Sequence, residues 1–215
     1  MSVGGPSLTG MNLLLLSLGI GAVPQFLSEV APAHPRIGYL GAAARLYAAE
    51  DFVLAERARI EALGHPVVDV DLAEGLPEMD VLYVAGGNTF VLLDDLRRTG
   101  QDRVLAERVR AGLPYIGLSA GSLITGPSVE PAALMDDPGD APGLTDRTGL
   151  ALIPETVLPH ADGQLPPYPP QLIADTLDRY GRDHRLIPIA DDQAVRADDA
   201  GRRVVASPWW DPAAG

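Results

Sequence analysis

Residues 114–122, PYIGLSAGS, place Gly117-Leu118-Ser119-Ala120-Gly121 between an apolar run, Tyr115 to Leu118, and a segment of helical character, Ala120 to Thr125. A G-x-S-x-G pattern at a strand-to-helix junction makes a tight, strained turn. Flanking glycines let neighbouring backbone approach, the serine hydroxyl stands above the sheet, and the next amide faces an oxyanion. The stretch implies strand-helix order of the α/β kind and makes Ser119 the candidate nucleophile. The competing reading is a glycine-rich turn whose serine only caps the helix.

A second glycine signal lies upstream. Ala85-Gly86-Gly87-Asn88-Thr89 ends the apolar run Val81 to Ala85 and opens a helix near Phe90. Amides at such a helix start suit an anion, so Gly87 and Ala120 are the candidate oxyanion-hole donors. Asn88 and Thr89 are candidate substrate-binding residues, with a plain Asn/Thr helix cap as the alternative.

Strand-length apolar runs also occur at Asn12 to Ser17, Arg36 to Leu40 and Val67 to Val70. The spacing from Arg45 to Leu63 predicts one amphipathic helix. Further helices are expected at Phe90 to Arg98, Arg103 to Ala111 and Pro170 to Tyr180, and an extended stretch at Leu150 to Leu158. Arg185 to Ala190, Gln193 to Ala197 and Arg202 to Ala206 read as strands, the last two paired through the turn at 198–201. This alternation predicts an α/β fold of three layers, a largely parallel sheet with helices on both faces. Sites in such sheets lie at the carboxyl ends of strands. Residues 1–10, without periodicity, are expected to be a flexible leader, and 11–215 a single domain. Trp209 and Trp210 are expected to pack against the core.

A serine needs a base to take its proton. The chain has no lysine, which leaves its four histidines. His34 and His65 precede prolines and open expected strands, at the wrong edge of the sheet, and His184 sits in a charged turn. His160 follows Thr156-Val157-Leu158-Pro159 and falls at a strand's carboxyl end, which selects it as the base. For the orienting acid, Asp191 follows an expected strand and is preferred, because a strand end fixes a carboxylate better than a loop. Asp136, in the acidic loop after the elbow, is the alternative.

Composition bounds the rest. The formal charge of −13 and the absence of a basic stripe argue against nucleic acid. All sixteen basic residues are arginine, which excludes a Walker lysine or a Schiff base. With no cysteine, thiol nucleophiles, disulfides and thiolate metal sites are excluded too, and a cytoplasmic setting is compatible. The run Leu13 to Val23 is too short to span a membrane. No metal-ligand spacing or cofactor fingerprint is present, so no metal and no cofactor are expected. The expected partner is a small peptide or other small acyl substrate, for a monomer or homodimer. Arg147 or Arg182 would be the local cation for an anionic substrate.

Four segments, LLLLS at 13–17, VAGGNTFVLL at 84–93, PYIGLSAGS at 114–122 and LPHAD at 158–162, together resemble the peptidase E family of serine peptidases. The resemblance covers nearly the whole chain and implies the class I glutamine amidotransferase-like fold. It implies Ser119 as nucleophile, His160 as base, and Gly87 and Ala120 as oxyanion amides. The family's acid is a glutamate in a segment resembling LIPIADD, and the carry-over lands on Asp191. Family members that cleave Asp-X dipeptides carry basic residues after the histidine, whereas ADGQLPPYPPQLIAD has none, which puts that specificity in doubt. The chain also resembles a short member without the C-terminal extension. The expected activity is peptide hydrolysis by acyl transfer. An esterase or amidase with the same triad and a non-catalytic binding homologue are the alternatives.

Overall fold

Four consecutive leucines, Leu13–Leu16, are all buried, as a strand covered on both faces requires. In the computed structural model, which describes residues 10–210, they form strand β1. Leu13 and Leu15 join one core cluster and Leu14 and Leu16 the other, the period-2 alternation of a strand between two layers.

The same logic builds β2 (Ile37–Leu40), β4 (Val81–Val84) and β5 (Tyr115–Leu118), whereas β3 (Val67–Asp69), at the edge of the sheet, is only partly buried. These five are parallel. A hairpin of β8 (Gln193–Asp198) and β9 (Gly201–Ala206) adds two strands, with β8 antiparallel to β1, in the order β3-β2-β4-β5-β1-β8-β9. Helix α1 (Val23–Val30) packs on one face, and α3 (Thr89–Arg98) and α4 (Gln101–Arg110) on the other. The remaining helices are α2 (Asp51–Glu61), the short α5 (Ala120–Leu123) and α6 (Pro170–Tyr180), whose first-turn Pro170 is pre-set for a helix start. The predicted three-layer α/β architecture, with its largely parallel sheet, is the one observed.

Several expectations need correction. The single helix predicted from Arg45 to Leu63 is a 3-10 helix, Ala42–Tyr47, followed after a break by α2. Helix α2 buries only Glu56 and Ile60 and leaves Phe52 52% and Leu54 56% exposed, so its apolar spacing does not describe a core face. Of Leu150 to Leu158 only the end is a strand, β6 (Thr156–Leu158); Ala151 has φ +48°. Strand β7 is shortened to Leu186–Pro188, and β6 and β7 pair in parallel with each other in a separate two-stranded sheet. Local patterns report that a segment is extended but not which sheet receives it. Trp209 is 62% exposed beneath the Arg59 guanidinium, 4.3 Å from its ring; Trp210 does pack against the core. The leader expected at 1–10 lies, apart from Gly10, outside the described residues.

Candidate active site

Strands β4, β5 and β1 are neighbours, so their carboxyl ends bring Gly86 and Gly87, Ser119, and Ser17 to one edge of the sheet. Ser119 adopts φ +48° and ψ −104°, a strained conformation for a side-chain-bearing residue. A Cβ at Gly117 would stand 2.3 Å from the Gly121 carbonyl oxygen, and one at Gly121 would stand 2.3 Å from that of Val84. Both glycines of the G-x-S-x-G pattern are therefore demanded by close backbone approach. The Ser119 N–H donates to the Leu16 carbonyl at 3.0 Å, which ties the turn to β1.

His160 and Asp191 come from the small sheet, just beyond the carboxyl ends of β6 and β7. Ser119 Oγ lies 3.0 Å from His160 Nε2, and His160 Nδ1 lies 2.6 Å from Asp191 Oδ1. With Nδ1–H donating to the carboxylate, Nε2 is left to accept from the serine hydroxyl. His160 is 2% exposed and has φ +59°. Burial opposes ionisation of Asp191, but hydrogen bonds from His160 and Ser17 and attraction to the imidazole outweigh it and hold the carboxyl below its ordinary value. The Gly19 N–H donates to the Asp191 carbonyl at 2.8 Å, which anchors the backbone of the acid.

Among the described residues neither the Gly87 nor the Ala120 N–H has a hydrogen-bond partner. Ala120 follows Ser119 as the first residue of α5, and Gly87 lines a cavity of about 370 Å³ together with Ser119, His160, Phe52, Asp136 and Tyr168.

The other candidates fall elsewhere. Asn88 is buried and its side chain is fully used: it accepts from the Phe90 and Val91 N–H groups and donates to the Asp137 carbonyl and the Asp140 carboxylate. Thr89 is buried and its N–H donates to Asp136 Oδ2 at 2.8 Å. Both serve the start of α3, and neither is among the residues that line the cavity. Asp136 does line it but makes no hydrogen bond to His160, whose partner is Asp191. Arg147 lies over the Phe90 ring, and neither it nor the exposed Arg182 reaches the cavity. Among the described residues no group of three or more histidine or acidic side chains is placed to hold a metal ion, and no helix is long and apolar enough to cross a membrane.

A model of peptidase family S51 matches residues 20–205. The chain belongs to peptidase family S51. An uncharacterized peptidase of Listeria innocua is 32% identical over 198 residues, covering 87% of this chain and 93% of its own. Peptidase E of Streptomyces coelicolor is 37% identical over 166 residues, 70% of this chain and 64% of its own. Among solved structures, a peptidase E candidate from Listeria monocytogenes superposes with TM-score 0.78 at 28% identity, covering 91% of this chain and 98% of that one.

Three residues around the site of this S51 peptidase escape a sequence reading. Ser17 Oγ accepts from the His160 N–H at 2.8 Å and donates to Asp191 Oδ1 at 3.1 Å; its only sequence signal is its place at the end of LLLLS. Tyr168 stacks on the His160 ring, centroids 4.8 Å apart and planes 14° from parallel, from within a proline-rich loop. Glu56, flanked by charged residues on α2, reads as a solvent-facing side chain, yet it is 4% exposed. Its Oε1 accepts from the Tyr83 hydroxyl at 3.0 Å and the Gly86 N–H at 3.3 Å.

Proposed function

We propose that this peptidase hydrolyses short peptides by acyl transfer, with Ser119 as nucleophile, His160 as general base and acid, and Asp191 as the orienting carboxylate. The observation that carries this reading is the unbroken contact from Ser119 Oγ to His160 to Asp191, at 3.0 and 2.6 Å. Ser119 Oγ attacks the scissile carbonyl while His160 Nε2 takes its proton. The tetrahedral oxyanion is received by the Gly87 and Ala120 N–H groups, which have no other partner among the described residues. Collapse expels the amine, which takes the proton from His160, and leaves the acyl group on Ser119. Water, deprotonated by His160, then releases the acid. Asp191 stays ionised throughout and stabilises the imidazolium.

The cavity, about 370 Å³, is sized for a short peptide rather than a folded chain. Action in the cytoplasm belongs to the same proposal, since a chain without cysteine needs no oxidising compartment; cell fractionation checks it.

The test is steady-state hydrolysis of a dipeptide panel and of p-nitrophenyl acetate by the wild type, Ser119→Ala, His160→Ala and Asp191→Asn. The expected losses are about 10³-fold or more in kcat for the first two, and about 10²- to 10⁴-fold for the third through the wrong imidazole tautomer. Undiminished turnover by Ser119→Ala contradicts the reading.

A further inference from the structure

The cavity beside Ser119 has an unusual charge balance. It is lined by Glu56, Asp136 and Asp137 and by no arginine, in a chain that has no lysine. The rest of its wall is largely apolar or aromatic, including Phe52, Leu118, Leu165 and Tyr168. An acidic lining alone says little, because carboxylates are often simply hydrated. Two further features separate this one from a solvated patch.

First, Glu56 is buried, and while its Oε1 accepts two hydrogen bonds, its Oε2 accepts none among the described residues. That oxygen and the Ser119 Cβ lie 3.7 and 3.6 Å from the position a Cβ on Gly86 would take, so both border the Gly86 stretch of the cleft wall. Second, neither acid forms a salt bridge among the described residues, although Arg59 attracts Glu56 and His160 attracts Asp136. Burial pushes the Glu56 carboxyl up to about 7 and the Asp136 carboxyl up to about 6, against the pull of their hydrogen bonds. A carboxylate in that condition gains most from a cation brought in with a ligand.

In a peptide's N-terminal residue the α-nitrogen is one carbon from the scissile carbonyl, so an ammonium group enters the cleft together with the reacting atom. Asp137 is exposed, and its side chain accepts from the Gly139 N–H at 2.8 Å. Glu56 has one oxygen committed to the Gly86 loop. Asp136 is partly exposed to the cleft and close enough to His160 for the imidazole to favour its ionised form.

Resting on the acyl-transfer reading above, we propose that the cleft selects an acyl donor with a free α-ammonium group and an uncharged, apolar side chain, with Asp136 as the ammonium's counter-ion and Glu56 reinforcing the negative field. A substrate with an acidic first side chain would bring a carboxylate against these two acids with no arginine to receive it, a like-charge contact in a poorly solvated site. A basic first side chain brings a second cation that must be desolvated in a cleft whose wall is otherwise largely apolar.

The experiment is calorimetric titration of the Ser119→Ala protein, which removes turnover, with leucinamide, N-acetyl-leucinamide, lysinamide and the α-amide of aspartic acid. Leucinamide should bind at least about tenfold more tightly than each of the other three, the order of one charge-assisted hydrogen bond. Adding Asp136→Asn should erase the difference between leucinamide and its acetylated form. The asparagine keeps an acceptor for the Thr89 N–H, so the start of α3 is preserved. Equal or tighter binding of the aspartic acid amide or lysinamide, indifference to acetylation, an unchanged preference with Asp136→Asn, or no binding of leucinamide overturns the proposal. Fluorophosphonate labelling of Ser119 in the wild type reads the acyl-transfer reading separately. Labelling without the amine preference overturns this inference alone, and the amine preference without labelling overturns that reading alone.

Discussion

The backbone N–H of His160 donates to Ser17 Oγ at 2.8 Å, and the same hydroxyl donates to Asp191 Oδ1 at 3.1 Å. One buried serine at the end of β1 thus holds the base's backbone, at φ +59°, and the carboxylate that orients its ring. A positive φ on a residue with a side chain costs about 1–3 kcal/mol and persists only where the surroundings over-determine it. Ser17 is one such constraint, a positioning residue for the triad.

Ser17→Ala should lower kcat by about 10- to 100-fold with little change in KM, because the variant misplaces the base and leaves the substrate cleft intact. It also removes a donor that favours the ionised form of Asp191, so the acid limb of the kcat profile should move to higher pH. Steady-state kinetics across pH checks both. A variant that lost only thermal stability would make Ser17 a packing residue.

Gly87 has φ +133°, and a Cβ there would meet the Ala43 carbonyl oxygen at 2.3 Å. Gly87→Ala should displace one of the two free amides beside Ser119 and cost about 10²- to 10³-fold in kcat, the loss expected for an oxyanion donor. Activity within threefold of wild type, with circular dichroism unchanged, would remove Gly87 from that role.

Tyr168 covers one face of the His160 ring, and its own hydroxyl is pushed upward, chiefly by burial. Tyr168→Phe keeps the stack and should leave kcat/KM within about threefold, while Tyr168→Ala uncovers the imidazole and should lower kcat/KM by about tenfold. Parallel kinetics on the two variants separate stacking from the hydroxyl.

Glu56 provides a stability test whose sign is opposite to that of a salt-bridged acid. Its carboxyl, ordinarily near 4.5, stands at about 7 in the folded chain because of burial. Between those values the native state binds more protons than the unfolded one, so the residue's contribution to stability falls as pH rises through the window. Glu56→Gln carries no such penalty and keeps an acceptor for Tyr83 and Gly86. It should therefore be more stable than wild type by roughly 1–3 kcal/mol near pH 8, with the difference vanishing by about pH 4.5. Denaturant melts at the two pH values measure it.

Much of the fold was legible because its signals are local. The apolar run of β5 and the proline-led start of α6 coincide with the observed elements, and the elbow glycines announce the close backbone approach found at Gly117 and Gly121. What escaped depends on tertiary contact. The apolar residues between Arg45 and Leu63 have helical spacing, but the segment breaks before Asp51, and Phe52 turns toward the cavity instead of the core. Glu56 sits among charges and looks hydrated, while Tyr83 and Gly86, distant in sequence, draw it inside. His160 follows an extended run, yet that run belongs to a second small sheet, and nothing in the pattern of β6 announces its pairing with β7. Ser17 is one serine after four leucines, and its two partners lie far away in sequence.

The central claim is that Ser119 carries the acyl group, and acid-quenched mass spectrometry after brief mixing with p-nitrophenyl acetate tests it most directly. The account predicts a single acetyl adduct that maps to Ser119, is absent from Ser119→Ala, and accumulates far more slowly in His160→Ala. An adduct on another residue, or p-nitrophenol release undiminished in Ser119→Ala, would contradict it.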